Sequence, residues 1–186
     1  QAIREVCKNH NLKLHLDGAR LFNALVATGE NPLEYGRLFD SISICLNKGL
    51  GCPMGSLLIG DDDYIRQARR VRKVFGGGMR QAGYMAAAGI YALENHIHRL
   101  QRDHDHARIL AEKLAVKEFV IEVMPVQTNI LIFSVAGKYT PASFTTRLRE
   151  KNIKCSAISP TQVRMVTHLD VTEAMIDRTL QVIDTL

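Results

Sequence analysis

Lys48 is the residue in this chain whose type and surroundings suggest chemistry most clearly. It follows the apolar stretch Ser41 to Leu46 and directly precedes Gly-Leu-Gly, which predicts a lysine just past a strand, on a backbone with room for a ligand. An uncharged lysine amine can form a Schiff base with an aldehyde, and burial or nearby cations favour that uncharged form. Taken alone, however, a Lys-Gly pair is typical of a surface turn.

Asp17 strengthens the case because it ends the alternating stretch Leu12 to Asp17 and is followed by Gly18. This pattern predicts a second strand that points toward a loop. Ligand sites in open α/β sheets gather at the carboxyl ends of strands, so we expect Asp17 and Lys48 to bracket one ligand. A carboxylate that keeps a pyridine nitrogen protonated makes the ring a good acceptor of electrons. The alternative is that Asp17 caps the following helix.

Three arginines are candidate ligands for anionic groups. Arg20 lies one helical turn from Asp17, and Arg80 follows three glycines and opens a predicted helix, which is a natural phosphate position. Arg164 lies in a late predicted strand. An arginine can bind a carboxylate through two parallel hydrogen bonds, which would orient an amino-acid substrate. A surface salt bridge is the more common role for a lone arginine.

The histidines and cysteines predict neither a metal site nor a catalytic triad. His15 alternates with leucines and could be a core residue, whereas His168 follows the strand of Arg164 and could line a site. The cysteines form no CxxC pair, which favours a reducing, cytoplasmic compartment. Four histidines are expected on the solvated face of a long helix: His96, His98, His104 and His106.

The composition is that of an ordinary globular protein of 186 residues, 46% hydrophobic and 23% charged, with a net charge of +5. The densest basic run covers residues 66–73, lacks aromatic residues and follows acidic residues at 61–63, so we interpret it as a solvated helix face. A nucleic-acid-binding protein is the distant alternative. No apolar stretch reaches the ~18–20 residues of a membrane span, so we expect a soluble protein without a membrane partner.

The order of predicted elements indicates an α/β chain with two domains. Strands and helices alternate over residues 1–115, and a long helix is expected from Met79 to about Leu114. Residues 116–186 instead read as a smaller α+β module of strands and two helices. We therefore place a domain boundary near residue 115.

Four motifs in order resemble the low-specificity L-threonine aldolases: His15-Leu-Asp-Gly-Ala-Arg20, Cys45-Leu-Asn-Lys-Gly-Leu-Gly-Cys-Pro-Met-Gly-Ser56, Gly76-Gly-Gly-Met-Arg-Gln-Ala-Gly83 and Val163-Arg-Met-Val-Thr-His-Leu-Asp170. They span nearly the whole chain. The resemblance implies the aspartate-aminotransferase type of fold, with a large domain around a mostly parallel sheet and a small C-terminal domain. The chain would supply the C-terminal part of that large domain (1–115) and the small domain (116–186).

The resemblance also implies pyridoxal 5'-phosphate as cofactor and a role for each candidate residue. Lys48 would hold the cofactor as a Schiff base, and Asp17 would pair with the pyridinium nitrogen. Arg20 and Arg164 would bind the substrate carboxylate, with Arg20 close to the cofactor as well. Arg80 would approach the cofactor phosphate.

Two local departures separate this sequence from the family pattern. Asn47 stands where Ser is usual, and Cys52 stands where Ala is usual. A larger departure is that nothing here matches the family's phosphate-binding Gly-Thr turn or its ring-stacking histidine. We therefore expect an N-terminal half of the same protein as a partner, and poor cofactor binding by this chain alone.

The implied reaction is cleavage of L-threonine or L-allo-threonine to glycine and acetaldehyde. His168 is an outside candidate for the base that takes the hydroxyl proton. The same residues would also serve β-elimination from a β-substituted amino acid, which is the alternative reaction. The family further suggests a homo-oligomer, either a dimer or a tetramer built from dimers.

Overall fold

The computed structural model describes residues 1–186, which form two compact units, Gln1–His98 and Arg99–Leu186. The first unit joins a three-stranded sheet to five helices. Its elements in chain order are α1 (Ala2–Asn9), β1 (His15–Asp17), α2 (Leu21–Thr28), α3 (Pro32–Leu38), β2 (Ser41–Cys45), β3 (Ser56–Gly60), α4 (Asp62–Val74) and α5 (Gly83–Asn95).

The sheet of the first unit has the order β1-β2-β3, with β1 parallel and β3 antiparallel to β2. Alternate residues of β2, Ile42 and Ile44, are buried, because successive side chains of a strand point to opposite faces. They form a small core with Leu21 and Leu25 of α2. Because β1 and β2 are parallel, their carboxyl ends lie at the same edge of the sheet.

Side-chain caps begin two of these helices. The Asn31 side chain accepts a hydrogen bond of 2.9 Å from the Leu33 amide, and Pro32 occupies the first turn of α3. The Asp61 carboxylate accepts one of 2.7 Å from the Tyr64 amide at the start of α4. Both caps satisfy amides that have no partner inside the helix.

The second unit packs helices on an antiparallel sheet of order β4-β5-β7-β6. Its core is larger than that of the first unit and includes Phe133, Phe144, Leu148 and Ile183, all fully buried. Its elements are α6 (Leu100–Ala115), β4 (Val120–Val123), β5 (Ile130–Val135), α7 (Pro141–Arg149), β6 (Ser156–Ala157), β7 (Gln162–Val166) and α8 (Glu173–Asp184).

The long helix expected from Met79 to Leu114 is interrupted. Helix α5 begins at Gly83 and ends at Asn95, and α6 begins at Leu100, so residues 96–99 form a turn. The two compact units divide within this turn, which assigns α6 to the second unit because α6 packs on its sheet. The predicted domains 1–115 and 116–186 differ from these units in the assignment of α6.

The expectation of a solvated surface is wrong for two of the four helical histidines. His104 and His106 are only 2% and 4% exposed, and burial lowers the pKa of His104. Their neighbour Asp103 is fully buried and accepts hydrogen bonds of 2.8 and 3.3 Å from Arg99. This helix face packs inward, and its buried carboxylate is paired, as a buried charge requires.

The other two of these histidines, His96 and His98, lie in the turn between α5 and α6 and not on a helix. His15 is exposed and not a core residue, with a ring nitrogen 2.8 Å from the Ser41 hydroxyl. None of the eight helices is long and apolar enough to cross a bilayer.

Candidate active site

Asp17 and Lys48 lie at the carboxyl ends of two neighbouring strands. Strand β1 ends at Asp17, and β2 runs parallel beside it with Asp17 in register with Ser43. Strand β2 continues to Cys45, and Lys48 follows three residues later. Parallel strands present their carboxyl ends at one edge of a sheet, which is where ligands bind in open α/β folds.

Gly18 holds the chain after Asp17 against β2. Its amide donates a hydrogen bond of 2.8 Å to the carbonyl of Ser43. A Cβ atom at position 18 would lie 2.8 Å from that same carbonyl oxygen, which is closer than real Cβ atoms come. Only glycine fits this approach without a shift of the backbone.

The segment around Lys48 is an ordered loop. The Leu46 amide donates to the carbonyl of Gly55 at 2.9 Å, and the Cys52 amide donates to the carbonyl of Leu46 at 3.0 Å. A tight turn within the loop is closed by the Gly51 amide and the Lys48 carbonyl at 2.9 Å. Gly51 and Gly55 have positive φ angles of 74° and 106°, which favour glycine.

Helix α5 and the residue that follows it form hydrogen bonds with this loop. A ring nitrogen of His96, Nδ1, lies 2.6 Å from the carbonyl oxygen of Leu50 and donates to it when it carries the proton. The thiol of Cys52 donates to the carbonyl of Ala88 at 3.6 Å, and burial raises the pKa of this thiol. Cys52 is therefore a buried, neutral packing residue. The role of His96 was missed in the sequence because its partner lies 46 residues away.

The two chemical groups at the strand ends remain accessible. Lys48 is exposed, and its amine makes no hydrogen bond or ion pair within the chain. Asp17 is exposed, and its carboxylate accepts one hydrogen bond, of 3.2 Å, from the Ala19 amide. The alternative role of Asp17 as a helix cap is wrong, because α2 begins at Leu21 with Arg20 in the cap position.

Arg20 lies beside the lysine loop. It lines a small cavity of about 10 Å³ together with Gly49 and Leu50, the two residues after Lys48. Arg20 and the Lys48 loop thus come together in the first unit, and Asp17 ends the strand beside β2. Asn47, one of the two departures from the family pattern, is exposed in that loop.

The other two candidate arginines, Arg80 and Arg164, do not line this cavity. Arg80 lies in the turn before α5, exposed and without an ion pair within the chain. Arg164 belongs to the second unit, where β7 pairs it with Ile132 and Ser156 and leaves it exposed. His168 follows that strand, and its ring lies 3.5 Å from the Asp170 carboxylate. No group of three or more His, Cys, Asp or Glu side chains could hold a metal ion.

These features define an α/β protein with an accessible lysine amine and an accessible carboxylate at the carboxyl ends of two neighbouring parallel strands. Residues 1–138 match the family model of the beta-eliminating lyases. The chain therefore belongs to the beta-eliminating lyase family.

Individual relatives confirm the resemblance seen in the four motifs. The low specificity L-threonine aldolase of Escherichia coli K12 is 51% identical over 167 residues, which are 90% of this chain and 49% of that relative. The low-specificity L-threonine aldolase 1 of Arabidopsis thaliana is 37% identical over 183 residues, 97% of this chain and 51% of that relative. The chain spans about half the length of these relatives.

Solved structures confirm the α/β fold class. A threonine aldolase from Leishmania major superposes with a TM-score of 0.75 and 23% identity, covering 98% of this chain and 54% of that one. A methionine gamma lyase from Micromonospora echinospora gives a TM-score of 0.71 at 15% identity, covering 98% of this chain and 57% of that one. At these identities the likeness shows a common fold.

Proposed function

We propose that this chain supplies the lysine-bearing half of a pyridoxal-phosphate-dependent aldolase that cleaves L-threonine or L-allo-threonine to glycine and acetaldehyde. The observation that carries the proposal is the position of an accessible lysine amine and an accessible carboxylate after the carboxyl ends of two adjacent parallel strands. The names of the relatives from Escherichia coli and Arabidopsis support the reaction.

The residues present fit the cofactor. Neither Lys48 nor Asp17 forms an ion pair within the chain, and hydrogen bonds order the glycine-rich loop that carries Lys48. Lys48 would bind the cofactor covalently, Asp17 would keep a proton on its ring nitrogen, and Arg80 would bind its phosphate. When bound, the cofactor supplies an acceptor for the electron pair released from the substrate's α-carbon.

The chain's own residues would orient the substrate and move protons. Arg20 and Arg164 would bind the substrate carboxylate, since a guanidinium matches a carboxylate through two hydrogen bonds. That fixed orientation selects which bond at the α-carbon breaks. A base takes the proton of the β-hydroxyl as the Cα–Cβ bond breaks and acetaldehyde leaves. His168 is an outside candidate for that base.

A decisive experiment compares Lys48→Ala with Lys73→Ala in the whole protein, including the N-terminal half that we propose as the partner of this chain. Lys73 is an exposed lysine on α4 and serves as the control. We expect Lys48→Ala to lose the visible cofactor band, the borohydride-fixed label on the lysine peptide, and acetaldehyde release. Normal turnover in Lys48→Ala would refute the assignment.

β-Elimination is the second candidate reaction, and the description of the family that includes this chain favours it. The same lysine, carboxylate and arginines would serve both reactions. A product assay separates them, because the aldolase releases an aldehyde and glycine whereas the lyase releases ammonia and a keto acid. Ammonia from a β-substituted amino acid, without acetaldehyde from threonine, would replace the first proposal by the second.

The assembly and location of the protein extend the proposal. We expect a homo-oligomer, a dimer or a tetramer, in the cytoplasm, with large and small domains at 1–115 and 116–186. The four free cysteines support a reducing compartment.

Titration of the cofactor into this chain alone should give no tight, stoichiometric binding, and addition of the N-terminal half should restore it. Tight binding by the chain alone would contradict the need for that half.

A further inference from the structure

The second unit contains a groove that no residue with a proposed role in cofactor binding lines. It has a volume of about 780 Å³ and runs between the end of β7, the segment Lys151–Lys154 after α7, and the first half of α8. Volumes of this size are typical of sites for small molecules. The outside candidate His168 is the one residue with a proposed role in the reaction that lines it.

The floor of the groove is apolar. Leu110 of α6, Met165 of β7 and Ile176 of α8 line it and are themselves buried members of the core. Ile153 and Val171 add partly buried apolar surface at its sides. A ligand that rests here would therefore bury an apolar body.

The rim of the groove is cationic. Lys151, Lys154 and Arg178 line it, all three are exposed, and none makes an ion pair or hydrogen bond within the chain. The one acidic lining residue, Asp170, faces His168. Most other cations of the second unit are paired with carboxylates: Arg99, Arg102, Arg108, Lys113, Lys117 and Arg147.

We propose that this groove binds a small carboxylate with an apolar body, such as an aryl or branched aliphatic acid. The apolar floor accepts the body and excludes water from it, and the three unpaired cations attract and bind the carboxylate. Inorganic phosphate has no apolar part to bury, so it fits the rim but not the floor. The proposed carboxylate site and the proposed aldolase reaction use different binding residues, so either proposal can fail without the other.

The test is a titration of the full chain, followed by the backbone amide shifts of ¹⁵N-labelled protein. The probes are 3-phenylpropionate, its neutral counterpart 3-phenylpropionamide, and inorganic phosphate. We expect the carboxylate to shift amides confined to residues 151–154 and 171–178. The amide and phosphate should each bind about tenfold more weakly, because each lacks one of the two interactions.

Charge-removing variants complete the test. Lys154→Gln and Arg178→Gln should each weaken 3-phenylpropionate binding several-fold, and the exposed control Arg70→Gln on α4 should leave it unchanged. All three positions are exposed, so the fold is retained in each variant. Equal binding of the amide and the carboxylate, shifts outside the groove, no binding at millimolar probe, or unchanged affinity in both groove variants would each overturn the proposal.

Discussion

At the scale of single residues, differences of a few tenths of an ångström decide which residue type a position near the candidate site accepts. Gly18 is the clearest case, because the space for a Cβ atom there is already occupied by the Ser43 carbonyl oxygen. Gly36, on the exposed side of α3, has no atom within 4 Å of an added Cβ. The same substitution should therefore have opposite effects at the two positions.

We expect Gly18→Ala to destabilise the protein by about 1–3 kcal/mol, since the backbone oxygen must move to accept the methyl group. Gly36→Ala should stabilise it by about 0.5–1 kcal/mol, because alanine restricts the unfolded chain and favours the helix. Urea denaturation of both variants measures the two changes. Equal stabilities for Gly18→Ala and the parent protein would show that the strand approach is looser than 2.8 Å.

The Asp40 carboxylate makes the stability of the first unit depend on pH. The Arg4 guanidinium, the Leu14 amide at 2.8 Å and the Lys13 amine hold the pKa of the Asp40 carboxyl well below its usual range. A carboxyl with a lowered folded pKa stabilises the fold above its unfolded pKa of about 3.9, and this stabilisation is lost as the pH falls through the folded pKa.

We expect Asp40→Asn to unfold more readily than the parent protein at neutral pH. The difference in free energy of unfolding should shrink as the pH falls below about 4, because the carboxyl group of the unfolded parent protein then takes up a proton while the folded carboxylate stays charged, which favours unfolding. Chemical denaturation between pH 7 and pH 3 measures it. Asp63→Asn is the control, since its exposed pair with Arg66 contributes little. A difference that is independent of pH would contradict this account.

How far the sequence predicts the candidate site depends on how local the signals are. Asp17 and Lys48 could be predicted at strand ends because the apolar strand residues before each of them, and the glycines after each of them, lie within a few positions in the sequence. His96 could not, since its bond to Leu50 depends on a fold-wide approach. The burial of Asp103 was missed for the same reason, because its carbonyl is bound by Thr167, 64 residues later, at 2.6 Å.

At the scale of elements, a helix start can carry a local side-chain signal that a helix end lacks. Helix α7 begins with a reciprocal cap, in which the Thr140 hydroxyl accepts from the Ser143 amide at 3.2 Å and the Ser143 hydroxyl accepts from the Thr140 amide at 3.0 Å. The interruption at residues 96–99 has no glycine or proline to signal it. Helix α6 packs on the sheet of the second unit, and the local sequence does not encode this packing.

Thr140→Ala should cost about 0.5–2 kcal/mol, because the Ser143 amide at the start of α7 loses its side-chain partner. Thr145→Ala, within the same helix, is the matched control and should be neutral or stabilising, since alanine has the higher helix propensity. Thermal unfolding followed by circular dichroism compares the two. Equal losses at both positions would show that helix propensity, rather than the cap, controls the stability of α7.

At the scale of the whole molecule, the two compact units differ in the size of their cores. The second unit encloses 14 buried residues in one cluster, whereas the first unit has eight buried apolar residues in all, four of them in the cluster around α2 and β2. The first unit also exposes an apolar strand, in which Leu57, Leu58 and Ile59 are 40%, 41% and 45% exposed. A unit with little buried apolar surface opens more easily, because burial is the main favourable term in folding.

Hydrogen exchange of this chain should therefore separate the units. We expect the amides of β2 to exchange well before those of β5, although both strands lie at the centre of their sheets and alternate between buried and partly buried residues. Mass spectrometry of peptides that contain Ile42–Ile44 and Leu131–Phe133 compares the two strands directly. Adding the proposed N-terminal half should slow exchange in β2 and leave β5 unchanged, because only the smaller core would gain new apolar contacts. Equal protection of the two strands in the chain alone would mean that the small core is sufficient, and that core size does not govern local stability here.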